Sequence, residues 1–332
     1  MATILGIEST AHTFGVGIVK DGKILSNVKI AFTTNSGEGG MIPIEVAKFH
    51  EANCNKIYSD SLIEAKISEC EIDAVAVSQG PGLSPCLLSG MRFAKKICKK
   101  LGKPLVPVNH CVAHLEVGRI TGAIDPVMLY ASGANTQVIA YEAGKYRVFG
   151  ETLDLGIGNF IDTIARYLGL GFPGGPKIQE LASKGKKYIE LPYKVKGMDI
   201  TLSGIQTKMK QLIDSKNYKI EDLCYSLQET VFAMLVEISE RAIAHTGKKE
   251  LLLGGGVACN SRLQEMCKIM CEERGIKFFC PARPLLVDNA AMIAYLGEIE
   301  FNSGIKFNSD ELDKVDINPK ERTDDVFVGW KK

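Results

Sequence analysis

Apolar and polar positions alternate along most of the chain in short blocks, and the blocks fall into two similar runs. Residues 3–8 make a buried-strand pattern, 9–13 a polar turn, 14–19 a returning strand, 20–23 a tight turn and 24–30 a third strand. Asp21-Gly22 is a strong hairpin signal, because both residue types tolerate the positive φ that a two-residue turn needs. Residues 126–130 start the plan again. A turn, Ala131-Ser132-Gly133-Ala134-Asn135, leads to a return strand at 136–141, a second turn at 142–145 and a third strand at 146–153. The residues differ and the plan agrees. A duplicated α/β domain is the simplest account, with the two polar turns facing one nucleotide across a cleft between the halves. Two unrelated hairpins are the bland alternative.

Between and after these runs the pattern alternates between helix and strand. Helical spacing is read at 44–65, 87–101, from 110 to about 120, and at 160–168, 205–213, 224–245, 261–274 and 290–300. Short apolar runs at 73–78, 104–108, 250–253 and 276–280 read as buried strands. Glycine and serine at 34–40 predict a flexible connection, and 169–176 a rigid, side-chain-poor loop. Residues 184–196 are basic and irregular, 197–204 short and strand-like, and 281–287 a loop. The tail beyond Phe307 is polar and charged, and is expected to be loosely held.

Composition changes this picture little. The 332 residues suffice for two packed domains. A net charge of +1 predicts no strongly basic nucleic-acid binder, although a local basic face is compatible with it. The ten cysteines include no C-x-x-C pair, and several sit in helical segments. They read as small buried residues of a reducing cytoplasm. The N-terminus runs straight into a strand without the form of a signal peptide, and no stretch suits a bilayer span. A soluble, cytoplasmic protein without membrane contact is expected.

Candidate chemistry concentrates at Asn109-His110-Cys111-Val112-Ala113-His114. Two histidines at i and i+4 project from one helix face, so both imidazoles can reach one ion. A buried histidine pair near a helix start is the alternative. Tyr130 and Asp288, in other candidate motifs, can complete a ligand set. Ser9 and Thr10 in the first turn can contact phosphate or simply form a polar turn. Asp162 sits in a helix's first turn, as a helix-dipole charge or an acceptor for ribose hydroxyls. Gly254-Gly255-Gly256-Val257-Ala258-Cys259-Asn260 carries a strand into a helix, an arrangement that binds nucleotides in unrelated folds, although no Walker Gly-Lys-Ser/Thr follows.

In order, Gly6-Ile7-Glu8-Ser9-Thr10-Ala11-His12-Thr13, the Asn-His-Cys-Val-Ala-His block, Tyr130-Ala131-Ser132-Gly133, Gly171-Phe172-Pro173-Gly174-Gly175-Pro176, Gly254 to Asn260 and Val287-Asp288-Asn289-Ala290 resemble one family over roughly residues 3–300. It is the universal tRNA threonylcarbamoyladenosine synthase subunit, formerly named O-sialoglycoprotein endopeptidase or glycoprotease. The first turn and the His-Cys-Val-Ala-His-Leu-Glu-Val form are similar to its archaeal and eukaryotic branch, which works in the KEOPS complex. The resemblance implies an actin/Hsp70/sugar-kinase-like fold of two RNase H-like halves, residues 1–115 (completed by 290–325) and 116–289. It implies one divalent metal, iron or zinc, on His110, His114, Tyr130 and Asp288. It implies ATP- or AMP-type nucleotide contacts at Tyr130, Ala131, Ser132, Gly133, Ala134, Asp162, Gly175, Gln179 and Asn260. Gln179 departs from the family's usual Glu, and an amide is a weaker ribose acceptor than a carboxylate.

The implied reaction is threonylcarbamoyl transfer from threonylcarbamoyl-AMP to N6 of the adenosine beside the anticodon, in tRNAs reading ANN codons. The implied partners are tRNA, a small kinase subunit and a small helical dimerising subunit. A metalloprotease is disfavoured because the histidine pair lacks the Glu of His-Glu-x-x-His. A small-molecule kinase explains the nucleotide motifs but not the metal set. A non-enzymatic ATP-dependent scaffold is the third rival.

Overall fold

The structure, a computed structural model, describes residues 2–33 and 41–331; the expected Gly/Ser connection at 34–40 lies outside the described residues. The chain divides into two compact units. One comprises residues 2–33, 41–117 and 288–331, the other Gly118–Val287.

The first unit opens with the meander that the alternation predicts: β1 (Thr3–Glu8), β2 (Thr13–Lys20) and β3 (Lys23–Ala31), paired antiparallel. Asp21 and Gly22 both take positive φ in the β2–β3 turn. Helix α1 (Pro43–Ala65) follows, then β4 (Ala74–Gly80), α2 (Ser84–Leu101), β5 (Leu105–Asn109) and α3 (His110–Val117). β4 pairs parallel with β1, and β5 parallel with β4, giving the order β3-β2-β1-β4-β5. Every residue of β1 is buried, as befits a strand with parallel and antiparallel neighbours and both faces covered. Helices α1 and α2 cover one face, where Ile57, Tyr58, Phe93 and Ile97 join Phe14, Val16 and Ile18 in one apolar cluster.

The second unit repeats the plan. β6 (Val127–Ala131), β7 (Thr136–Glu142) and β8 (Lys145–Glu151) form an antiparallel meander. Helices α4 (Ile157–Tyr167) and α5 (Gly175–Ala182), the small hairpin β9 (Val195–Lys196) and β10 (Asp199–Ile200), and helices α6 (Ser203–Ser215) and α7 (Ile220–Thr246) come next. β11 (Glu250–Gly254), α8 (Ser261–Glu273), β12 (Lys277–Phe279) and the short α9 (Arg283–Leu286) complete the unit. The order β12-β11-β6-β7-β8 is that of the first sheet: two parallel strands, then the first, second and third strands of a meander. Helix α7 supplies Leu227, Val231, Leu235, Ile238 and Ala242 to this unit's core. Two pieces of helix were not anticipated: α5, where Pro176 occupies the first turn that tolerates proline, and α9 inside the expected loop.

The chain returns to the first unit with α10 (Ala290–Asn302), which covers the second face of the first sheet. The approach is close enough to exclude side chains. A Cβ on Gly6 would meet the Ala294 nitrogen at 2.3 Å, and one on Gly17 the Ala291 nitrogen at 2.6 Å.

The expectation of a loosely held tail is overturned. Phe307 and Leu105 exchange backbone hydrogen bonds of 2.8 Å, and Leu312 and Val315 are buried in the first unit's core. Gln79 donates to the Asp316 carbonyl at 2.7 Å, and its own carbonyl accepts from Asn318 at 2.9 Å. The Trp330 indole donates to Glu116 at 2.9 Å. Tail contacts made through backbone groups leave no periodic mark in the sequence, which is why composition misled. All ten cysteines are free thiols, seven of them buried. Among the described residues no helix is long and apolar enough to cross a membrane.

Candidate metal centre and glycine-lined turns

Strand β5 delivers Asn109 to the start of α3. Its side-chain oxygen accepts from the Cys111 and Val112 amides at 3.0 Å each, so a good N-cap sets where the helix begins. His110 and His114 then lie one turn apart on one face, buried, with ring centroids 4.8 Å apart. Asp288 arrives from the start of α10, where Asn289 caps the helix by accepting from the Met292 amide. One Asp288 oxygen lies 3.5 Å from Nε2 of each histidine. The ligand atoms of all three residues fall within 4.8 Å of one another. Donors bound tetrahedrally at about 2.1 Å to one ion stand about 3.4 Å apart, so the cluster fits a single metal. Two nitrogens and an oxygen, without thiolate, suit zinc or iron.

A fourth residue, not singled out in the sequence, completes this arrangement. Glu8 ends the otherwise uncharged β1 and is wholly buried. Its Oε2 lies 3.0 Å from His110 Nδ1, while Oε1 accepts from the Thr10 amide at 2.7 Å and the Thr10 hydroxyl at 2.5 Å. A carboxylate there only accepts, so Nδ1 carries a hydrogen and Nε2 is the position open to a metal. The sequence signal was a charge closing a buried strand. Of the two readings open for Thr10, the polar turn is the one seen: both its amide and its hydroxyl serve Glu8.

The electrostatics follow from these contacts. Burial disfavours charge on the His110 ring, but the Glu8 and Asp288 carboxylates outweigh it and raise its pKa well above the usual value. Burial, with the charge of His110, holds His114 below the usual histidine value despite Asp288. Burial also opposes the Asp288 carboxylate, and the two histidines outweigh it and hold its pKa well below the usual range. The trio is therefore arranged around a carboxylate that stays charged.

The remaining predicted site residues lie in the second unit. Tyr130 is buried near the end of β6, which Ala131 closes. In the next turn the Ser132 hydroxyl donates to the Asn135 carbonyl at 2.9 Å. The first residues of α4 lie against this turn: the Gly158 and Asn159 amides donate to the Ser132 and Gly133 carbonyls at 3.0 and 2.9 Å. A Cβ on Gly156 would come within 2.3 Å of the Ala134 carbonyl oxygen. Asp162 accepts from the Gly174 amide at 2.7 Å and so ties α4 to the start of α5. Gly175 there has open space where a side chain would stand. Gly255, at φ 88°, passes the Ala131 carbonyl so closely that a Cβ would lie 2.4 Å from it. Asn260 caps α8 and donates to Gln228 at 2.7 Å, and Gln179 donates to the Ser261 hydroxyl at 2.9 Å. These turns thus come together, rich in glycine and in helix starts, the combination that receives phosphate elsewhere.

Comparison with known proteins gives the family of the whole chain. The sequence profile of the TsaD family, described as tRNA N6-adenosine threonylcarbamoyltransferase, matches residues 23–295. A protein of that name from Thermococcus sibiricus is 53% identical over 326 residues, 98% of this chain and 99% of that one. A probable bifunctional tRNA threonylcarbamoyladenosine biosynthesis protein from Methanosarcina barkeri is 48% identical over 331 residues, 98% of this chain and 59% of that one. The crystal structure of Thermococcus kodakarensis HypF superposes with a TM-score of 0.62 at 14% identity, over 91% of this chain and 48% of that one. At that identity the likeness speaks for the fold alone, the actin/Hsp70/sugar-kinase-like α/β class. With near-full-length identity of about half to relatives that share one name, this chain belongs to the TsaD family of tRNA N6-adenosine threonylcarbamoyltransferases.

Proposed function

We propose that the chain transfers the threonylcarbamoyl group from threonylcarbamoyl-AMP to N6 of the adenosine adjacent to the anticodon, in tRNAs reading ANN codons, as catalytic subunit of a cytoplasmic KEOPS complex. The observation that carries this reading is the cluster of two buried histidines, His110 and His114, with the half-buried Asp288, in a member of this family. One divalent metal, iron or zinc, is held by these residues with Tyr130. The two RNase H-like halves are residues 1–115, completed by 290–325, and 116–289.

In the reaction the adenosine amine attacks the carbamoyl carbon, the bond from that carbon to the phosphate oxygen of AMP breaks, the amine proton is lost, and AMP leaves. The metal, when bound, supplies Lewis-acid polarisation of substrate oxygens. Glu8 and Thr10 orient His110, and Asn109 sets the helix that presents both histidines. Amides at Gly133, Ala134 and Gly175 receive the adenylate phosphate and lower the cost of charge gathering there, while the Ser132 amide closes the turn on the Asn135 carbonyl. Asp162, Gln179 and Asn260 border the nucleotide. Their existing bonds to Gly174, Ser261 and Gln228 hold them in place before it arrives.

The partners are tRNA, a small kinase subunit and a small helical dimerising subunit. The Methanosarcina relative is named bifunctional and extends well beyond the aligned part, which supports a second activity working beside this one. Helix α1 leaves Ile44 and Ile63 exposed, a surface for the helical subunit. Among the basic residues at 184–196, Lys184 is paired with Glu180, and the other lysines are the candidates for tRNA backbone contact. The test supplies threonylcarbamoyl-AMP, unmodified tRNA and the partner subunits, and detects the modified nucleoside by mass spectrometry in wild type, His110→Ala and Asp288→Ala.

A further inference from the structure

Helix α4 continues past the glycine-lined turns into a groove that no part of this reading uses. Asn159, Asp162, Thr163 and Arg166 follow one another at i, i+3, i+4 and i+7, so they share one face of the helix. The first two belong to the turns described above. Thr163, Arg166 and Tyr167, with Lys210 from α6, line an open groove of about 270 Å³. The Arg166 guanidinium makes no hydrogen bond or ion pair among the described residues. The Lys210 ammonium sits 5.4 Å from the centre of the Tyr167 ring. Asp214 fixes that ring by accepting its hydroxyl at 2.6 and 2.7 Å. The Thr163 hydroxyl donates back to the Asn159 carbonyl at 2.8 Å, which turns its oxygen lone pairs outward.

The chemistry of this groove is specific in kind. Two cations, neither with a carboxylate partner among the described residues, line the groove with an aromatic ring held in one orientation. A guanidinium matches the geometry of a phosphodiester, and a fixed ring gives a ribose or base a flat apolar surface. The groove is too small and too open to bury a metabolite, since Arg166 and Tyr167 are both exposed. Shallow contacts of this kind become useful when a polymer repeats them along its length. Their place on the same helix face as the nucleotide turns favours a nucleic acid over an acidic peptide.

We propose that Thr163, Arg166, Tyr167 and Lys210 form an RNA subsite that takes a single-stranded phosphodiester of the acceptor RNA, with Arg166 and Lys210 on the phosphate and Tyr167 against the adjoining nucleoside. The proposal rests on the reading of the chain as a tRNA-modifying enzyme and adds the path of the RNA to it.

The test measures binding of labelled substrate tRNA to the full chain across a salt series, for wild type, Arg166→Glu/Lys210→Glu and Tyr167→Ala. The double variant weakens binding about tenfold or more and flattens the salt dependence by about one unit of slope, as loss of one or two phosphate contacts requires. Tyr167→Ala weakens binding with the slope unchanged. Binding of an adenylate analogue and the melting temperature stay at wild-type values, and in the transfer reaction KM for tRNA rises while kcat is kept. If charge reversal unfolds the protein, Arg166→Gln/Lys210→Gln serves with the same expected directions. Wild-type affinity and slope in the double variant overturn the subsite. So does absence of wild-type tRNA binding at low salt, or loss of polyglutamate binding in place of RNA binding. A wild type that binds tRNA in this way but forms no modified nucleoside overturns the transferase reading and leaves the subsite standing.

Discussion

At the scale of single residues, the most informative contact is the one between Glu8 and His110. The histidine pair was legible because i, i+4 spacing places two side chains on one helix face whatever the tertiary structure. Asp288 and Tyr130 stood out only as members of other motifs able to complete a ligand set, because nothing local in the sequence says where a strand end or helix start will point; the structure brings Asp288 to the histidines. Glu8 was not legible as a partner of His110, since 102 residues separate them and only the pairing of the first sheet brings them together. The geometry makes Glu8 a positioning residue. Glu8→Gln keeps a hydrogen bond in reach but removes the charge that holds the Nδ1 hydrogen. Metal affinity, measured by competition with a chelating dye, should fall about 10- to 100-fold while the metal-free protein keeps its melting temperature. An affinity within about twofold of wild type would contradict this role, since loss of such an outer partner typically costs at least tenfold.

At the scale of elements, α3 is gripped at both ends by the tail that composition dismissed. The Asn109 amide, whose oxygen caps the helix, donates to Glu321 at 2.8 Å. At the other end the buried Glu116 accepts from Trp330. The helix that carries both histidines is therefore set by segments far apart in sequence, which is why its position could not be read from periodicity while its existence could. Trp330→Phe keeps an aromatic ring, though a smaller one, and removes the donor. Stability should fall by about 1–3 kcal/mol, the cost of stripping a donor from a buried carboxylate, and metal binding should weaken with it. Denaturation followed by circular dichroism, with the dye competition, checks both; unchanged values for both would show that the tail does not support the helix. The turns of the second unit teach a related lesson. Their glycines were visible, but the hydrogen bonds of Asp162 and Asn260 that order them were not.

At the scale of the whole molecule, the duplicated sheet plan was the most legible feature. Each meander announces itself by three short strand-like runs joined by short turns, and each unit then adds two parallel strands through helical crossovers. What alternation could not show is how much polar burial the first unit carries. Glu300 on α10 is buried with one carboxylate oxygen lacking a hydrogen-bond partner. Burial, with the charges of Glu321 and Glu116, raises its pKa well above the usual value. Between the ordinary glutamate value and that raised one, the folded chain holds a proton that the unfolded chain has lost. Glu300 therefore contributes stability that is full at low pH and is lost as pH rises through this window. Glu300→Gln should flatten that fall and raise the melting temperature at pH 8 relative to wild type. A wild-type pH slope kept intact in the variant would contradict the assignment.

Whether the His110–His114–Asp288 cluster serves group transfer is read from a single assay. Wild type, His110→Ala and Asp288→Ala are each given threonylcarbamoyl-AMP, unmodified tRNA and the partner subunits, and the tRNA is digested and weighed for the modified adenosine. Wild type is expected to form product, with a loss of at least about 100-fold in both variants and tRNA binding retained. Wild-type amounts of product from either variant, or none from folded, metal-loaded wild type in a competent complex, would contradict it.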